Sequence, residues 1–155
     1  MPEVLEGKRI FTLLEVSQGI QQTIARKFPD SYWIKAEMHK LGFYAQSGHC
    51  FPELVEKREG KIIARLDGLI WKTDFQNIDR NFRRALGDGL KDGIKILFLA
   101  KVEYMPEFGL KLRIVDIDPA FTLGDFERER QETIKRLQEE GIFNINKSLE
   151  FPLLP

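Results

Sequence analysis

Cationic and ring-bearing side chains interleave through the middle of this chain: Lys35, Lys40, Phe43, Tyr44, His49, Phe51, Arg65, Trp71, Lys72, Tyr104, Phe108, Lys111 and Arg113. Together these types can hold an unpaired polynucleotide, because cations track phosphates while aromatic faces take stacked bases. Stacking contributes on the order of 1–3 kcal/mol per base, so two exposed rings outweigh several screened surface charges. Phe43 and Tyr44, adjacent in a stretch bounded by Gly42 and Gly48, form the best stacking pair. The same residues also have an ordinary structural use. Trp33, Phe51 and Trp71 suit the ends of a barrel core, and Lys35, Arg65, Lys111 and Arg113 suit any solvated strand face.

Other chemistries find less support. His39, His49 and Cys50 lack the paired spacing of a structural zinc site, so neither a metal nor any other cofactor is expected. His49 is expected to hydrogen-bond within the barrel and, following a glycine, to face a bound strand as well. Cys50 falls in an expected strand, where packing rather than nucleophilic chemistry is its role. The stretch from Gly87 to Gly93 follows a helix and lacks the Lys-Ser/Thr ending of a phosphate loop. Asp116 and Asp118 merely alternate at a strand end. No residue is assigned to catalysis.

The chain has 155 residues, ample for one packed domain, with 24 basic and 24 acidic residues in balance. The charges are unevenly spread: residues 31–115 hold 15 basic and 11 acidic, and residues 116–155 hold 5 and 9. A mildly basic body beside an acidic tail can still present a positive groove, since surface potential follows where charges sit. No apolar run reaches the roughly 18 residues of a membrane span, and the N-terminus carries Glu3 and Glu6 without a signal-peptide core. With a single cysteine, this points to a reducing compartment, the cytoplasm.

The elements that must position these side chains are legible from periodicity. Thr12 and Glu15 form a capping box, followed by Leu13, Val16, Ile20 and Ile24 at helical spacing, with Phe28 as a last core contact before Pro29. Ile34, Ala36 and Met38 then alternate with Lys35, Glu37 and His39 as a strand. Residues 41–48 read as a loop and His49 to Lys57 as a second strand, with Pro52 marking an edge or bulge. Glu59-Gly60 turns the chain into a third strand, Lys61 to Trp71, where Gly68 suggests a bulge. Apolar positions 75, 78, 82, 85 and 86 return to helical spacing; Ile94 to Tyr104 and Leu110 to Ile117 form strands four and five. Thr122 and Asp125 resemble a cap for a solvated helix that stops at Gly141, before a connector, Phe151 to Pro155.

This order predicts a mainly β fold with flanking helices: a five-stranded OB-fold Greek-key barrel over residues 31–118. An N-terminal arm and helix (1–30) precede it, a helix joins strands three and four, and a C-terminal helix with the start of a linker (119–155) follows. Barrels of this kind bind single-stranded nucleic acid or oligosaccharide on strands two and three and the loops beside them.

Five segments carry a more specific resemblance: Trp33-Ile34-Lys35-Ala36-Glu37, Ser47-Gly48-His49, Leu90-Lys91-Asp92-Gly93, Tyr104-Met105-Pro106-Glu107-Phe108-Gly109 and Glu139-Glu140-Gly141-Ile142-Phe143. In order and spacing, from about Phe11 to Pro155, they resemble the N-terminal domain of the exodeoxyribonuclease VII large subunit. Ala36 stands where that family commonly has glycine, and Cys50-Phe51-Pro52-Glu53-Leu54 replaces a more aromatic strand. The resemblance implies an OB-fold that binds single-stranded DNA and presents it to a following catalytic domain. That domain hydrolyses phosphodiesters to oligonucleotides, and small subunits bind the helical region beyond it. On this reading the chain is a fragment ending where the nuclease domain begins. The contacting residues expected are Lys35, Lys40, Phe43, Tyr44, His49, Phe51, Arg65, Lys72, Tyr104, Lys111 and Arg113. The competing expectations are a docking module for a sister domain or subunit and a stand-alone RNA or oligosaccharide binder.

Overall fold

A computed structural model describes residues 3–147, with side chains to residue 141. The connector at 151–155 lies outside the described residues. The elements run β1 (Glu3–Leu5), β2 (Lys8–Ile10), α1 (Leu13–Lys27), β3 (Ser31–Lys40), β4 (Glu53–Arg58), β5 (Lys61–Leu69), α2 (Lys72–Leu86), β6 (Ile94–Met105), β7 (Gly109–Ile117) and α3 (Pro119–Lys147).

Local chemistry sets most of these boundaries. The Glu15 amide donates to Thr12 Oγ1 at 3.1 Å and the Thr12 amide donates to Glu15 at 3.3 Å, the reciprocal box that opens α1. Glu59 and Gly60 both take positive φ, 53° and 77°, the turn that matches the twist of a two-residue hairpin between β4 and β5. Gly87, left-handed at φ 80°, closes α2 by donating its amide to the Arg83 carbonyl.

The strands close into a barrel in the order β3-β4-β5-β7-β6, with β6 returning to β3 along its first eight residues, Ser31 to Met38. Every pairing is antiparallel except β5 with β7, where Gly68 faces Leu112 and Leu69 faces Arg113 in parallel. Met38, Ile96, Phe98, Ile114 and Ile117 fill the interior, and α2 sends Ile78 and Phe82 into the same core. Each such burial contributes about 1.5–3 kcal/mol. Ile24 and Ala25 of α1 lie beside the end of β6, and Thr122 of α3 donates its hydroxyl to the Lys95 carbonyl at 2.8 Å.

Several expectations need correction. The N-terminal arm is a β1–β2 hairpin, turned by Glu6 and Gly7 at positive φ. The second barrel strand starts at Glu53, because Pro52 has no amide to donate and is buried just before it. Gly68 marks no bulge; the register shift falls near Ile63, and Gly68 is needed because a Cβ there would sit 2.9 Å from Pro52 Cγ and 3.2 Å from Leu54 Cδ1. Thr122 and Asp125 lie inside α3, not at its cap, and the helix runs through Gly141 to Lys147. A helical glycine costs only about 1 kcal/mol against alanine, so glycine alone does not dictate a helix end. Leu13, Val16 and Ile20 stay exposed; on α1 the buried residue is Ser17, and Phe28 sits edge-on to Tyr32 rather than in the core.

Candidate nucleic-acid interface

The loop between β3 and β4, residues 41–52, is long, folded on itself and rich in rings. Its ends are pinned by the Phe51 amide donating to Gly42 O and the Leu41 amide donating to Asp92 Oδ1 at 2.8 Å. Inside it, Tyr44 donates to His49 O and Gly48 donates back to Tyr44 O. This frame holds Phe43 52% exposed and Tyr44 58% exposed. Neither ring is unsupported. Phe43 stacks on Phe75 of α2 at 5.3 Å and 28°, and Tyr44 meets Phe51 edge-on at 5.3 Å and 77°. Each therefore offers a face to solvent from a fixed position.

His49 fastens this loop to α2. The N-cap residue, Trp71, supplies no side-chain cap, and His49 Nδ1 accepts the Lys72 amide at 2.9 Å in its place. The His49 ring also packs edge-on against the half-buried Trp71 at 4.9 Å. Lys72 lays its carbon stem over Gly48, where a Cβ would sit 2.9 Å from its Cγ, and Lys40 ends β3 at the other side of the loop. Both lysines are exposed, and neither pairs with a carboxylate among the described residues. Cys50 is buried between bridges to Phe43 and Ile70. Burial, with the charge of Asp79 adding, pushes its thiol up to about 12, so it stays a packed, neutral group.

The strand face beside the loop is charged but balanced. Arg65 reaches Glu53 at 2.6 Å and Asp67 at 4.0 Å, Lys111 reaches Asp67 at 3.7 Å, and Lys57 reaches Glu37 at 3.0 Å. Arg113 contacts Glu103 at 3.6 Å and leaves its Nε buried without a partner among the described residues. Glu53, Asp67 and Glu37 thus sit among the cations expected to meet phosphate.

The structure gathers Lys40, Phe43, Tyr44, His49, Phe51 and Lys72 at the loop, and joins Arg65 and Lys111 to them through Glu53 and Asp67. Tyr104 stands apart, in a cleft against Gln21 and Ile24 of α1. Phe108 is exposed in the β6–β7 turn, and Lys35 lies on the outer face of β3 opposite Leu97. Trp33 is the main departure: expected in the core, it is 53% exposed, because Ile34, Ala36 and Met38 already take the inward positions of β3. That alternation was the available signal, since it places Trp33 on the same face as Lys35.

A closed five-stranded barrel with its third and fifth strands parallel, a helix between the third and fourth, and a ring-bearing loop before the second is an OB-fold. The chain belongs to the family described as OB-fold nucleic acid binding domain, whose profile matches residues 11–118. It is similar to the Exodeoxyribonuclease 7 large subunit of Deinococcus radiodurans, 28% identical over 151 residues that cover 94% of this chain and 36% of that protein. It is also similar to the Exodeoxyribonuclease 7 large subunit of Moorella thermoacetica, 27% identical over 157 residues covering 100% of this chain and 34% of that protein. The likeness read from the motifs is borne out, and the chain spans about a third of the length of these relatives. No described helix is long and apolar enough to cross a membrane.

Proposed function

We propose that this domain holds single-stranded DNA without sequence preference and, within a longer chain of its kind, presents it to a catalytic domain that hydrolyses it to oligonucleotides. The small subunit of such an enzyme would bind outside this sequence. The observation that carries the reading is the pair Phe43 and Tyr44, two rings held half in solvent by rings beneath them, beside Lys40 and Lys72. Bases stack on the open faces whatever their identity, because every base has a π-face. Lys40 and Lys72 neutralise the flanking phosphates. Arg65 exchanges its carboxylate partners for phosphate at little cost, since exposed ion pairs contribute only about 0–1 kcal/mol, and the half-buried Lys111 adds its charge from beside Asp67.

Titration of a labelled oligothymidine across a salt series tests this. Four phosphate contacts predict a slope of log affinity against log salt near −3, at about 0.7 for each contact to a single strand. A flat response to millimolar protein at low salt would overturn it. A docking role for a sister domain or subunit has one observation in its favour, the exposed apolar residues Val4, Leu5, Leu13 and Val16 on the N-terminal hairpin and α1. These lie outside the ring-bearing loop, so the two roles are compatible.

A further inference from the structure

We propose that Trp33, with Lys35 and Lys101 beside it, is a second stacking platform for the DNA strand, on the outer wall formed by β3 and β6 rather than on the β4–β5 face. The proposal rests on the single-strand reading above and extends its path around the barrel.

Trp33 faces Leu99 across the β3–β6 pair, Ser31 faces Lys101, and Lys35 faces Leu97. Trp33, Lys35 and Lys101 therefore share one face. Lys35 follows Trp33 by two residues, roughly 7 Å along the strand. Lys101 is its diagonal neighbour, roughly 7–8 Å away. The half-buried Leu99 supplies an apolar floor beside the indole.

Charge favours this wall over the neighbouring one. Lys57, Arg65 and Lys111 are all bonded to Glu37, Glu53 or Asp67. Lys35 and Lys101 are exposed and make no ion pair among the described residues. Of the acids on this face, Glu37 holds Lys57 and Glu103 holds Arg113, which leaves Asp116, exposed on β7 opposite Leu99, as the one carboxylate without a cationic partner among the described residues. A polyanion reaching this wall thus meets lysines it need not take from a carboxylate.

The wall is also continuous with the first site. Lys101 faces Arg113 across β6 and β7, and Arg113 lies two residues along β7 from Lys111, which reaches Asp67. A strand leaving Arg65 and Lys111 passes Arg113 and Lys101 before its base reaches Trp33. An indole this exposed near the start of β3, between cations, has the form of a stacking surface.

The test compares the 155-residue chain with its Trp33→Phe, Trp33→Ala and Lys35→Gln/Lys101→Gln variants, binding labelled oligothymidines of increasing length. Anisotropy reports binding, and intrinsic tryptophan emission reports stacking. For long oligomers, Trp33→Ala should weaken binding by roughly 5- to 100-fold, the size of one lost stacked base, with Trp33→Phe restoring most of it. Emission quenching by DNA should be strong in the wild type and clearly smaller in Trp33→Phe, whose remaining signal comes from the half-buried Trp71 beside the loop. The double lysine variant should flatten the salt slope by about 1.4. Equal quenching in wild type and Trp33→Phe, with unchanged affinity in Trp33→Ala, overturns the platform while leaving the loop site standing. If Trp33→Ala fails to fold by circular dichroism, the quenching comparison in Trp33→Phe decides alone. Absence of any binding by the wild type removes the single-strand reading itself.

Discussion

His49 Nδ1 accepts the Lys72 amide at 2.9 Å, so the loop that displays Phe43 and Tyr44 is tied to the first turn of α2 by the bond that caps that helix. His49→Ala would leave the amide without this partner and free the loop from its anchor. A loss of about 1 kcal/mol in stability is expected, the usual worth of a helix cap. Weaker oligothymidine binding should accompany it, because a looser loop must be ordered on binding. Urea melts and anisotropy titrations of the same variant measure the two effects; an unchanged melt would show that the cap contributes nothing.

Tyr44→Ala should weaken single-strand binding by roughly 5- to 100-fold while leaving stability nearly intact, since the ring is mostly in solvent. Phe43→Ala should cost similar affinity and a little stability besides, through its stack on Phe75. Anisotropy at fixed salt checks both. Wild-type affinity in both variants would show that these rings are not the stacking surface.

The legible parts of this molecule were those in which side-chain periodicity and burial agree. Alternation in Ile34, Ala36 and Met38, the Thr12–Glu15 box and the Glu59-Gly60 turn are local signals, and each appears where the sequence places it. What escaped depended on distant partners. The fence of Glu53 and Asp67 around Arg65 exists only once β4 and β5 are paired. Thr122 looked like a cap because Thr-x-x-Asp is a local signature, yet its hydroxyl is used by the Lys95 carbonyl, 27 positions away. Ring size and a place near a strand end point Trp33 into the core, whereas the alternation of Ile34, Ala36 and Met38 puts it on the outer face, where it lies.

Cys50 gives a pH prediction. Its thiol is pushed up to about 12 by burial, whereas the unfolded chain ionises near the ordinary 9.0. The neutral thiol thus contributes its full stability below pH 9, and that contribution declines as pH rises from there towards 12. Stability should fall more steeply between pH 9 and 11 in the wild type than in Cys50→Ala, as followed by urea midpoints. Iodoacetamide should also leave the native thiol untouched at pH 8 and label it rapidly in urea. Rapid native labelling would contradict the burial.

Gly68→Ala is expected to destabilise the barrel by about 1–3 kcal/mol, because the new Cβ would press on Pro52 and Leu54 where β5 crosses from β4 to β7. A urea midpoint equal to wild type would mean that Pro52 can yield. The variant should still bind oligothymidine when folded, since Gly68 is buried beneath the face rather than part of it.

The carboxylates on the strand face should act as brakes on binding. Glu53 holds Arg65 at 2.6 Å, so Glu53→Gln frees a guanidinium beside the loop and removes one negative charge that a phosphate would meet. Affinity for oligothymidine should rise several-fold at low salt, and the gain should shrink as salt screens the face. Arg65→Gln should do the opposite, weakening binding and flattening the salt slope by about 0.7. Folding stability should change little in either variant, because an exposed pair of this kind contributes only about 0–1 kcal/mol. If Glu53→Gln left both affinity and salt slope unchanged, phosphates would not pass over Arg65, and the strand would run from the Phe43–Tyr44 loop by another route.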